Sequence, residues 1–543
     1  MIRRALLLLA LSAITLSAQV PFERLLNAAK EPQNWLTYSG DYQGWRYSSL
    51  DQITTANAKD LAVRWVFQAR TSEKLQATPL VVDGVMYITE VPNNAYALDA
   101  ATGQAFWEFN YRPDSARVCC GIVNRGLAIL GDTLFMGTLD AHLLAIDAKT
   151  GELLWKTKVV EKAEDGYALV HAPLVVKDKV IVGPAGGELG IRGFLAAYDA
   201  ATGKQVWRFN LVPEPGEPGH ETWGGDSWKT GGAPIWLTGS YDPSLNLTYW
   251  GVGNPGPDWN GDVRPGDNLY SSSVVALDAD TGKLKWHYQF TPHDVWDWDA
   301  AQIPVLVDME WEGRPRKTML WANRNGFYYA LDRATGQFLK ATPFVKQTWN
   351  VGFDEAGRPI KRIDAEPTVE GNQVYPGVQG GTNWYSPSYS PRTGMFYIPA
   401  WEDYYGLYNK FEQEYVPGRQ YTGGSPRAAV RGSSGSTNLI NTRDQEGGYG
   451  VVRAIDAKTG ERKWDFEFMD VTDGGVLTTG GDVLFSGNRE QYFYAIDART
   501  GAELWKIYLG GNIRSGPITY EVNGTQYVTV ASGNSLFTFT LKK

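Results

Sequence analysis

The chain has 543 residues, 20% of them charged, and a formal net charge of −9 at pH 7. This acidic balance argues against nucleic acid as a partner, because nucleic-acid-binding surfaces are basic, but it is compatible with a basic, soluble partner protein. A chain of this length usually forms three or four domains, whereas its internal repetition predicts one.

The first 18 residues have the pattern of a secretory signal peptide. A basic pair, Arg3-Arg4, precedes an apolar stretch, Ala5–Leu16, and Ser17-Ala18 offers a small-residue cleavage site. Cleavage removes two arginines and leaves residues 19–543 with a charge of −11. No later stretch reaches the ~20 apolar residues of a membrane span. We therefore predict an exported, periplasmic protein, in which a disulfide can persist.

The two cysteines of the chain, Cys119 and Cys120, are neighbours. Consecutive Cα atoms lie about 3.8 Å apart, whereas an ordinary disulfide joins Cα atoms roughly 4.4–6.8 Å apart. A bridge here would be a strained eight-membered ring, which is a poor staple but a rigid, flat surface. A chance pair of reduced cysteines is the simpler alternative, and geometry alone leaves both open.

One motif recurs along the chain: Ala-x-Asp-x-x-Thr-Gly-x-x-x-Trp. Each copy predicts a strand, a tight turn in which Asp bonds to the backbone and Gly adopts a positive φ, and a second strand that carries the Trp. Most copies follow another strand pair, such as the one around Asp83-Gly84. The copies are Ala97–Trp107, Ala145–Trp155, Ala197–Trp207, Ala276–Trp286, Ala330–Lys340 (with Lys for Trp), Ala454–Trp464 and Ala495–Trp505.

Four strands in each repeat predict an all-β fold, an eight-bladed β-propeller in which the Trp residues dock between blades. The 124-residue gap between Asp332 and Asp456 has room for an eighth copy, and Ser390–Tyr397 is interpreted as its degenerate remnant. Residues 402–450 lack the period and are predicted to form a long insertion on one face of the single domain. The repeated Trp and Asp residues are assigned to the scaffold.

The segments outside the repeat resemble the quinoprotein alcohol dehydrogenases, eight-bladed propellers that bind pyrroloquinoline quinone (PQQ) and a metal ion. The resemblance runs from Asn34-Trp35 to about residue 535. Its motifs are Cys119-Cys120-x-x-x-Asn124-Arg125-Gly126, Gly186-Gly187-Glu188, Gly231-Gly232-Ala233-Pro234-Ile235-Trp236, Gly253-Asn254-Pro255, Asp297-Trp298-Asp299, Asn323-Arg324-Asn325-Gly326 and Asn383-Trp384.

The resemblance implies a cofactor sandwich. The two cysteines would be joined and would pack on one face of PQQ, with Trp236 on the other. Arg125 would contact the cofactor, since guanidinium groups pair with carboxylates in a fork-like geometry. Further implied cofactor residues are Gly186, Gly187, Arg324, Asn383 and Gln76. Positions that depart from the family, and leave cofactor affinity and substrate choice open, are Gln76, Val170, Ala185, Pro234 and Asp473.

The resemblance also places a metal near Glu188, Asn254 and Asp297. Oxygen-only ligands imply a hard cation such as calcium rather than zinc or copper. If Asp297-Trp298-Asp299 is extended, its two carboxylates share one face. The lanthanide-using branch has an acid at the position of Asp299, and a trivalent ion offsets the repulsion of a further carboxylate better than a divalent one. We therefore predict PQQ with one lanthanide ion, calcium being the alternative.

The implied activity is oxidation of a primary alcohol, with aldehydes as a second substrate class, by hydride transfer to PQQ. Asp297 would take the hydroxyl proton and Arg324 would stabilise charge on the quinone oxygens. No Cys-x-x-Cys-His haem motif is present, so electrons are expected to leave to a separate soluble acceptor such as a c-type cytochrome. The sequence allows a homodimer but does not specify one.

A non-catalytic scaffold is the alternative function, because propellers of outer-membrane protein assembly carry the same repeat without a cofactor. Such a scaffold has no need of Cys119-Cys120 together with Glu188, Asn254 and the acids of Asp297-Trp298-Asp299, which favours the enzyme. A sugar-oxidising quinoprotein fits less well, since no membrane anchor precedes the propeller.

Overall fold

The computed structural model describes residues 20–428 and 448–542. These residues form eight four-stranded antiparallel blades arranged as a β-propeller, which confirms the predicted fold class. The first strand of each blade is largely buried, and the fourth strand is the most exposed. Hydrophobic side chains between adjacent blades make up the core.

Blades 1 to 7 are numbered in chain order, and blade 8 combines strands from both ends of the propeller. Blade 1 comprises Leu80–Val82, Val85–Glu90, Asn94–Asp99 and Ala105–Phe109. Blade 2 comprises Ala128–Leu130, Thr133–Gly137, His142–Asp147 and Leu153–Lys158. Blade 3 comprises Leu174–Val176, Lys179–Val182, Phe194–Asp199 and Gln205–Asn210. Blade 4 comprises Ser240–Asp242, Leu247–Gly251, Ser273–Asp278 and Leu284–Gln289.

The remaining blades follow the same order. Blade 5 comprises Val305–Trp311, Arg314–Ala322, Phe327–Asp332 and Phe338–Pro343. Blade 6 comprises Ser388–Ser390, Met395–Glu402, Tyr449–Asp456 and Arg462–Glu467. Blade 7 comprises Leu477–Thr479, Val483–Gly487, Tyr492–Asp497 and Glu503–Tyr508. Blade 8 comprises Ile518–Val522, Thr525–Ser532, Ser535–Leu541 and, from the other end of the chain, Leu61–Gln68.

Short strands, an α-helix and 3₁₀ turns lie outside the four-stranded blades. The further strands are Tyr47–Ser48, which extends blade 7, and Asn350–Phe353, Pro359–Lys361, Asn372–Val374, Gly406–Tyr408 and Arg427–Ala428. The α-helix is Phe22–Leu26, and the 3₁₀ turns are Ala28–Lys30, Ala58–Asp60, Ala163–Asp165, Gly187–Leu189, His220–Thr222, Ser227–Thr230, Gly261–Val263 and Ile363–Ala365. Nowhere in the described ranges does a helix have the length and apolar character needed to cross a bilayer.

Closure of the ring supplies the eighth blade. Leu61–Gln68 pairs antiparallel with Ser535–Leu541, so the two ends of the propeller meet in one sheet. The seven motif copies form the turns between the third and fourth strands of blades 1–7. The interpretation of Ser390–Tyr397 as a degenerate eighth copy is therefore wrong, because this segment is the hairpin between the first two strands of blade 6.

The repeated tryptophans join neighbouring blades. The indole Nε1 of Trp286 donates to the carbonyl oxygen of Arg333 in blade 5 at 3.1 Å. Its ring lies against Gly336, where a Cβ would come within 2.6 Å of the indole and φ is +78°, so the motif requires glycine here. The equivalent bonds are made by Trp107, Trp155, Trp207, Trp464 and, from blade 8 to blade 1, Trp65.

Replacing Trp286 by alanine is expected to lower the free energy of unfolding by about 3 kcal/mol, as for other buried aromatic truncations, because this ring is 9% exposed. Lys340 occupies the same motif position in blade 5 and is only partly buried, so Lys340→Ala is the matched control and should cost less than about 0.5 kcal/mol. Urea unfolding followed by circular dichroism measures both. Equal losses would contradict a special role for the indole.

Because the strands are antiparallel, the repeated turns and the predicted site residues lie on opposite faces of the propeller. Connections between second and third strands, and from one blade to the next, emerge on one face of the propeller, here called the site face. The Asp-x-x-Thr-Gly turns connect third and fourth strands and emerge on the opposite face. Every predicted site residue lies on a site-face connection: Gln76, Cys119, Cys120, Arg125, Gly186, Gly187, Glu188, Trp236, Asn254, Asp297, Asp299, Arg324 and Asn383.

The predicted 402–450 insertion is the connection between Met395–Glu402 and Tyr449–Asp456 of blade 6, and it therefore also emerges on the site face. Its described part reaches blade 3, where the amide of Tyr421 donates to the carbonyl oxygen of Glu188 at 2.7 Å. Residues 429–447 of the insertion and the predicted signal segment 1–18 lie outside the described residues.

Candidate active site

A disulfide joins Cys119 and Cys120, whose Cα atoms are 3.8 Å apart, on the loop between blades 1 and 2. The Sγ of Cys120 lies 3.6 Å from Oε1 of Glu188. Valines on the same loop belong to a small apolar cluster that includes Val170, Ala185 and Trp236. The fold thus gathers the disulfide, Trp236 and Glu188 from three separate loops.

Arg125 is a buried cation that has no carboxylate partner among the described residues. Its side chain is 6% exposed, and its Nε has no hydrogen-bond partner. Its Cζ lies 5.2 Å from the ring centroid of Trp236 and 4.9 Å from that of Trp384. Burial lowers the pKa of Arg125 to about 10. A buried guanidinium between two aromatic rings fits a planar compound that carries carboxylates.

Two carboxylates on the loop between blades 4 and 5 converge on Arg324 of blade 5. Its Nη1 donates to Oδ2 of Asp299, and its Nη2 lies 3.4 Å from Oδ2 of Asp297. The backbone amide of Asn254 donates to the other oxygen of Asp299. The structure therefore brings Asn254, Asp297, Asp299 and Arg324 into one polar group beside Glu188. Asp299 repels the charge of Glu188, whereas Arg324 attracts it.

The two aspartates share a face for a different reason from the one expected. Asp297 has a φ of +61°, so the segment is not extended. Asp294 holds it instead, because its carboxylate accepts the amides of Trp296 and Trp298 at 2.9 and 2.8 Å. The two indoles stack with ring centroids 4.8 Å apart, which leaves the carboxylates free to face Arg324.

Buried oxygen atoms on the site face lack hydrogen-bond donors. The carboxyl and amide oxygens among them in the described residues are Gln76 Oε1, Asn254 Oδ1, Asp258 Oδ2 and Asp297 Oδ1. Unpaired buried oxygens destabilise a protein unless a ligand fills the space between them. Gly187 leaves room for one of them, since a Cβ there would lie 2.5 Å from Asn254 Oδ1. This donor set fits a hard cation with oxygen ligands.

The carboxylate oxygens of Glu188, Asp297 and Asp299 do not all lie within 4.8 Å of one another in this structure. In the described ranges, the group whose ligand atoms all lie within 4.8 Å of one another is Cys119, Cys120 and Glu188. The cysteines are oxidised and offer no thiolate. Arg324 holds the two carboxylates of Asp297 and Asp299, so a cation would compete with this guanidinium for them.

Burial raises the pKa values of this acid cluster. The pKa of Glu188 is raised to about 7, by burial and then by the charge of Asp299. Burial raises the pKa of Asp299 to about 6, although Arg324 opposes the shift. Burial also raises the pKa of Asp297 and of Asp258 well above the usual range. The cluster therefore binds protons strongly when no cation neutralises it.

This proton uptake predicts how stability depends on pH in the metal-free protein. Between pH 4 and 7 the folded state binds more protons at Glu188 and Asp299 than the unfolded chain, so stability falls as pH rises. We expect the melting temperature to fall between pH 5 and 8, and a bound cation to reduce this dependence. Thermal unfolding with and without metal measures it; a melting temperature that rises over this range without metal would contradict it.

Other predicted residues have different surroundings. Asn383 is buried, and its side-chain amide donates to the carbonyl oxygen of Gln379 at 3.0 Å. Asp473 forms ion pairs with Arg489 and Arg514 at 2.7 and 3.2 Å, which lower the pKa of its carboxyl despite burial. Its family-atypical charge is therefore compensated within the protein.

Sequence reasoning missed Asp258 and the contact of Trp384 with Arg125. Asp258 adds a fourth buried carboxylate, and its only sequence signal is its position four residues after Asn254 in a loop rich in Gly and Pro. Trp384 belongs to the motif Asn383-Trp384, which the resemblance assigns to the edge of the cofactor, and its ring also contacts Arg125. The contact of Trp384 with Arg125 could not be inferred from spacing, because it joins loops that are distant in sequence.

The fold and this site define a class: an eight-bladed β-propeller whose site face gathers a buried guanidinium between aromatic rings and a cluster of acids. A family model described as the beta-propeller domain of glucose, ethanol and alcohol dehydrogenases matches residues 35–347, more than half of the chain. Residues 448–543 match a model described as outer membrane protein assembly factor BamB.

Individual relatives agree with the first match. The chain is 40% identical to quinoprotein alcohol dehydrogenase PedH of Pseudomonas putida, over 97% of this chain and 91% of PedH. It is 36% identical to a 1-butanol dehydrogenase (cytochrome c) of Thauera butanivorans, over 92% of this chain and 74% of that relative. A solved europium-containing methanol dehydrogenase superposes with a TM-score of 0.88 at 33% identity, over 96% of this chain and 100% of the other.

The chain therefore belongs to the PQQ-dependent alcohol dehydrogenase family, and it is an oxidoreductase. The alternative of a cofactor-free scaffold is wrong for this chain. The match of residues 448–543 to an assembly factor reflects the repeat that both groups share.

Proposed function

We propose that the protein is an exported, periplasmic dehydrogenase that oxidises primary alcohols, and aldehydes as a second substrate class, with PQQ and one lanthanide ion. The observation that carries this proposal is the set of donor-free oxygens and buried acids beside the disulfide and Trp236. When bound, PQQ would accept hydride and a hard cation would act as a Lewis acid.

Residues of the chain itself would bind the cofactor, take up the proton and stabilise negative charge. Trp236 and the disulfide would hold the cofactor between them and exclude water, and Arg125 would pair with its carboxylates. Asp297 would take the hydroxyl proton at Oδ1, the oxygen that accepts no hydrogen bond. Arg324 would stabilise negative charge next to this base while holding Asp297 and Asp299 in place.

Glu188, Asn254, Asp297 and Asp299 would hold the cation. Their charges favour a trivalent ion, because three carboxylates repel one another strongly unless a high positive charge offsets them. The europium-containing relative is consistent with this choice of ion. For electron transfer we propose a separate soluble acceptor such as a c-type cytochrome, in line with the acidic charge of the chain and the cytochrome-linked relative.

Reconstitution tests the proposal. Metal-free protein is mixed with PQQ and either La³⁺ or Ca²⁺, and primary alcohols and aldehydes are screened in a dye-linked assay. We expect oxidation with La³⁺ and little with Ca²⁺. Full activity with Ca²⁺ alone would overturn the lanthanide assignment, and no activity with either ion would overturn the proposed reaction.

A further inference from the structure

Asp258 is a buried carboxylate on the loop that also carries Asn254. Its side chain is 0% exposed. Its Oδ1 accepts a hydrogen bond from Nδ2 of Asn254 at 2.9 Å, while its Oδ2 has no partner. A buried carboxylate with a free oxygen is destabilising unless positive charge lies nearby, and no ion pair involves Asp258 in the described part of the chain.

The hydrogen bond to Asp258 fixes the direction of the Asn254 amide. The Nδ2 amide group of Asn254 is the donor, so Asn254 presents its NH₂ group to Asp258 and turns its Oδ1 the opposite way. That oxygen lies against Gly187, next to Glu188, where a Cβ would come within 2.5 Å of it. The amide oxygen therefore faces the turn that carries a proposed metal ligand.

Arg264 ties this loop to the one that carries Asp297. The guanidinium is buried, and its Nε donates to the carbonyl oxygen of Pro257 at 2.9 Å. Its Nη2 donates to the carbonyl oxygens of both Asp258 and Asp294. Because Asp294 in turn holds the Asp297 loop, Asp258 has a fixed position relative to the other acids.

The net charge of the acid cluster also supports a role for Asp258 in the metal site. Glu188, Asp258, Asp297 and Asp299 carry four negative charges, and within the described ranges Arg324 is the cation whose side chain forms ion pairs with them. The buried Asp294 adds one negative charge and the buried Arg264 adds one positive charge, and these two cancel. Three negative charges therefore remain, which a trivalent ion neutralises and a divalent ion does not.

We infer that Asp258 is a positioning residue of the metal site, which orients the Asn254 amide and supplies a fourth carboxylate charge that favours a trivalent over a divalent cation. The inference rests on the proposed function, since it assumes a cation beside Glu188. Asp258 acts through Asn254 and through its charge and does not contact the substrate.

Metal titration of Asp258→Asn tests the inference. Asp262→Asn is the matched control, because it removes a carboxylate from the same loop. The side chain of Asp262 is 67% exposed. PQQ-loaded, metal-free proteins are titrated with La³⁺ and Ca²⁺ by calorimetry. We expect Asp258→Asn to weaken La³⁺ binding about 10- to 100-fold and Ca²⁺ binding less, with Asp262→Asn unchanged. Unchanged La³⁺ affinity, or an equal loss for both ions, would overturn the inference.

Thermal unfolding separates this role from a structural one. Without metal, Asp258→Asn should melt no lower than wild type, because it replaces a buried acid, whose charge is unfavourable there, with a neutral amide of similar shape. With La³⁺ bound it should melt below the La³⁺-bound wild type. Equal destabilisation in both states would mean a structural role only and would overturn the inference. Failure of the wild type to bind either ion would instead overturn the proposed function.

Discussion

Asp297→Asn is expected to lower kcat for alcohol oxidation by about 10²- to 10⁴-fold, the usual contribution of a general base. The amide keeps the shape of the side chain and an oxygen toward the site, but it cannot take up the hydroxyl proton. Burial raises the pKa of Asp297, and Arg324 opposes that shift, so the base depends on this guanidinium and on a bound cation to stay ionised. A dye-linked assay with saturating alcohol measures the change.

The assignment of Asp297 requires that cofactor and metal are still bound. PQQ content from absorbance and metal content from mass spectrometry are compared between Asp297→Asn and wild type. Asp262→Asn again serves as a control, since it removes an exposed carboxylate without touching the site. A fully loaded Asp297→Asn enzyme that turns over at the wild-type rate would refute the base assignment.

Asp299→Ala is expected to reduce lanthanide-supported activity by about 100-fold or more, because even residues behind metal ligands contribute 10- to 100-fold in affinity. Three contacts are lost together: the proposed metal ligand, the partner of Arg324 Nη1 and the acceptor for the Asn254 amide. Besides the carbonyl oxygen of Val378, Asp297 is then the remaining partner of Arg324, which strengthens their ion pair and weakens the base. Activity with La³⁺ and Ca²⁺ is measured after reconstitution with PQQ.

Asp299→Asn distinguishes charge from geometry at this position. It keeps an acceptor for the Asn254 amide and an oxygen near the site, but removes one negative charge. We expect its lanthanide affinity to lie between wild type and Asp299→Ala, while its Ca²⁺ affinity falls less. If Asp299→Ala binds La³⁺ as tightly as wild type, Asp299 does not hold the metal.

The sequence by itself determined the propeller and the family. The Ala-x-Asp-x-x-Thr-Gly-x-x-x-Trp motif encodes a complete local unit, in which the Asp caps its own turn and the Trp reaches one blade further along. The Asp contacts are local and the Trp contacts reach only the next copy of the motif, so both repeat with the period and can be recognised without a structure. The family motifs are contiguous segments, such as Cys119-Cys120 and Asp297-Trp298-Asp299, and are recognisable for the same reason.

Only the tertiary structure decided how these segments meet. Closure through Leu61–Gln68, and not a hidden copy at Ser390–Tyr397, makes the eighth blade, because pairing between chain ends leaves no local pattern. The cation–π contact of Arg125 with Trp384 depends on packing between loops. The left-handed φ of Asp297 and the hydrogen bond from Asn254 to Asp258 lie within single loops whose conformations have no repeated pattern. Contacts across the site face join residues that no spacing relates, and their charges balance only once the blades are assembled.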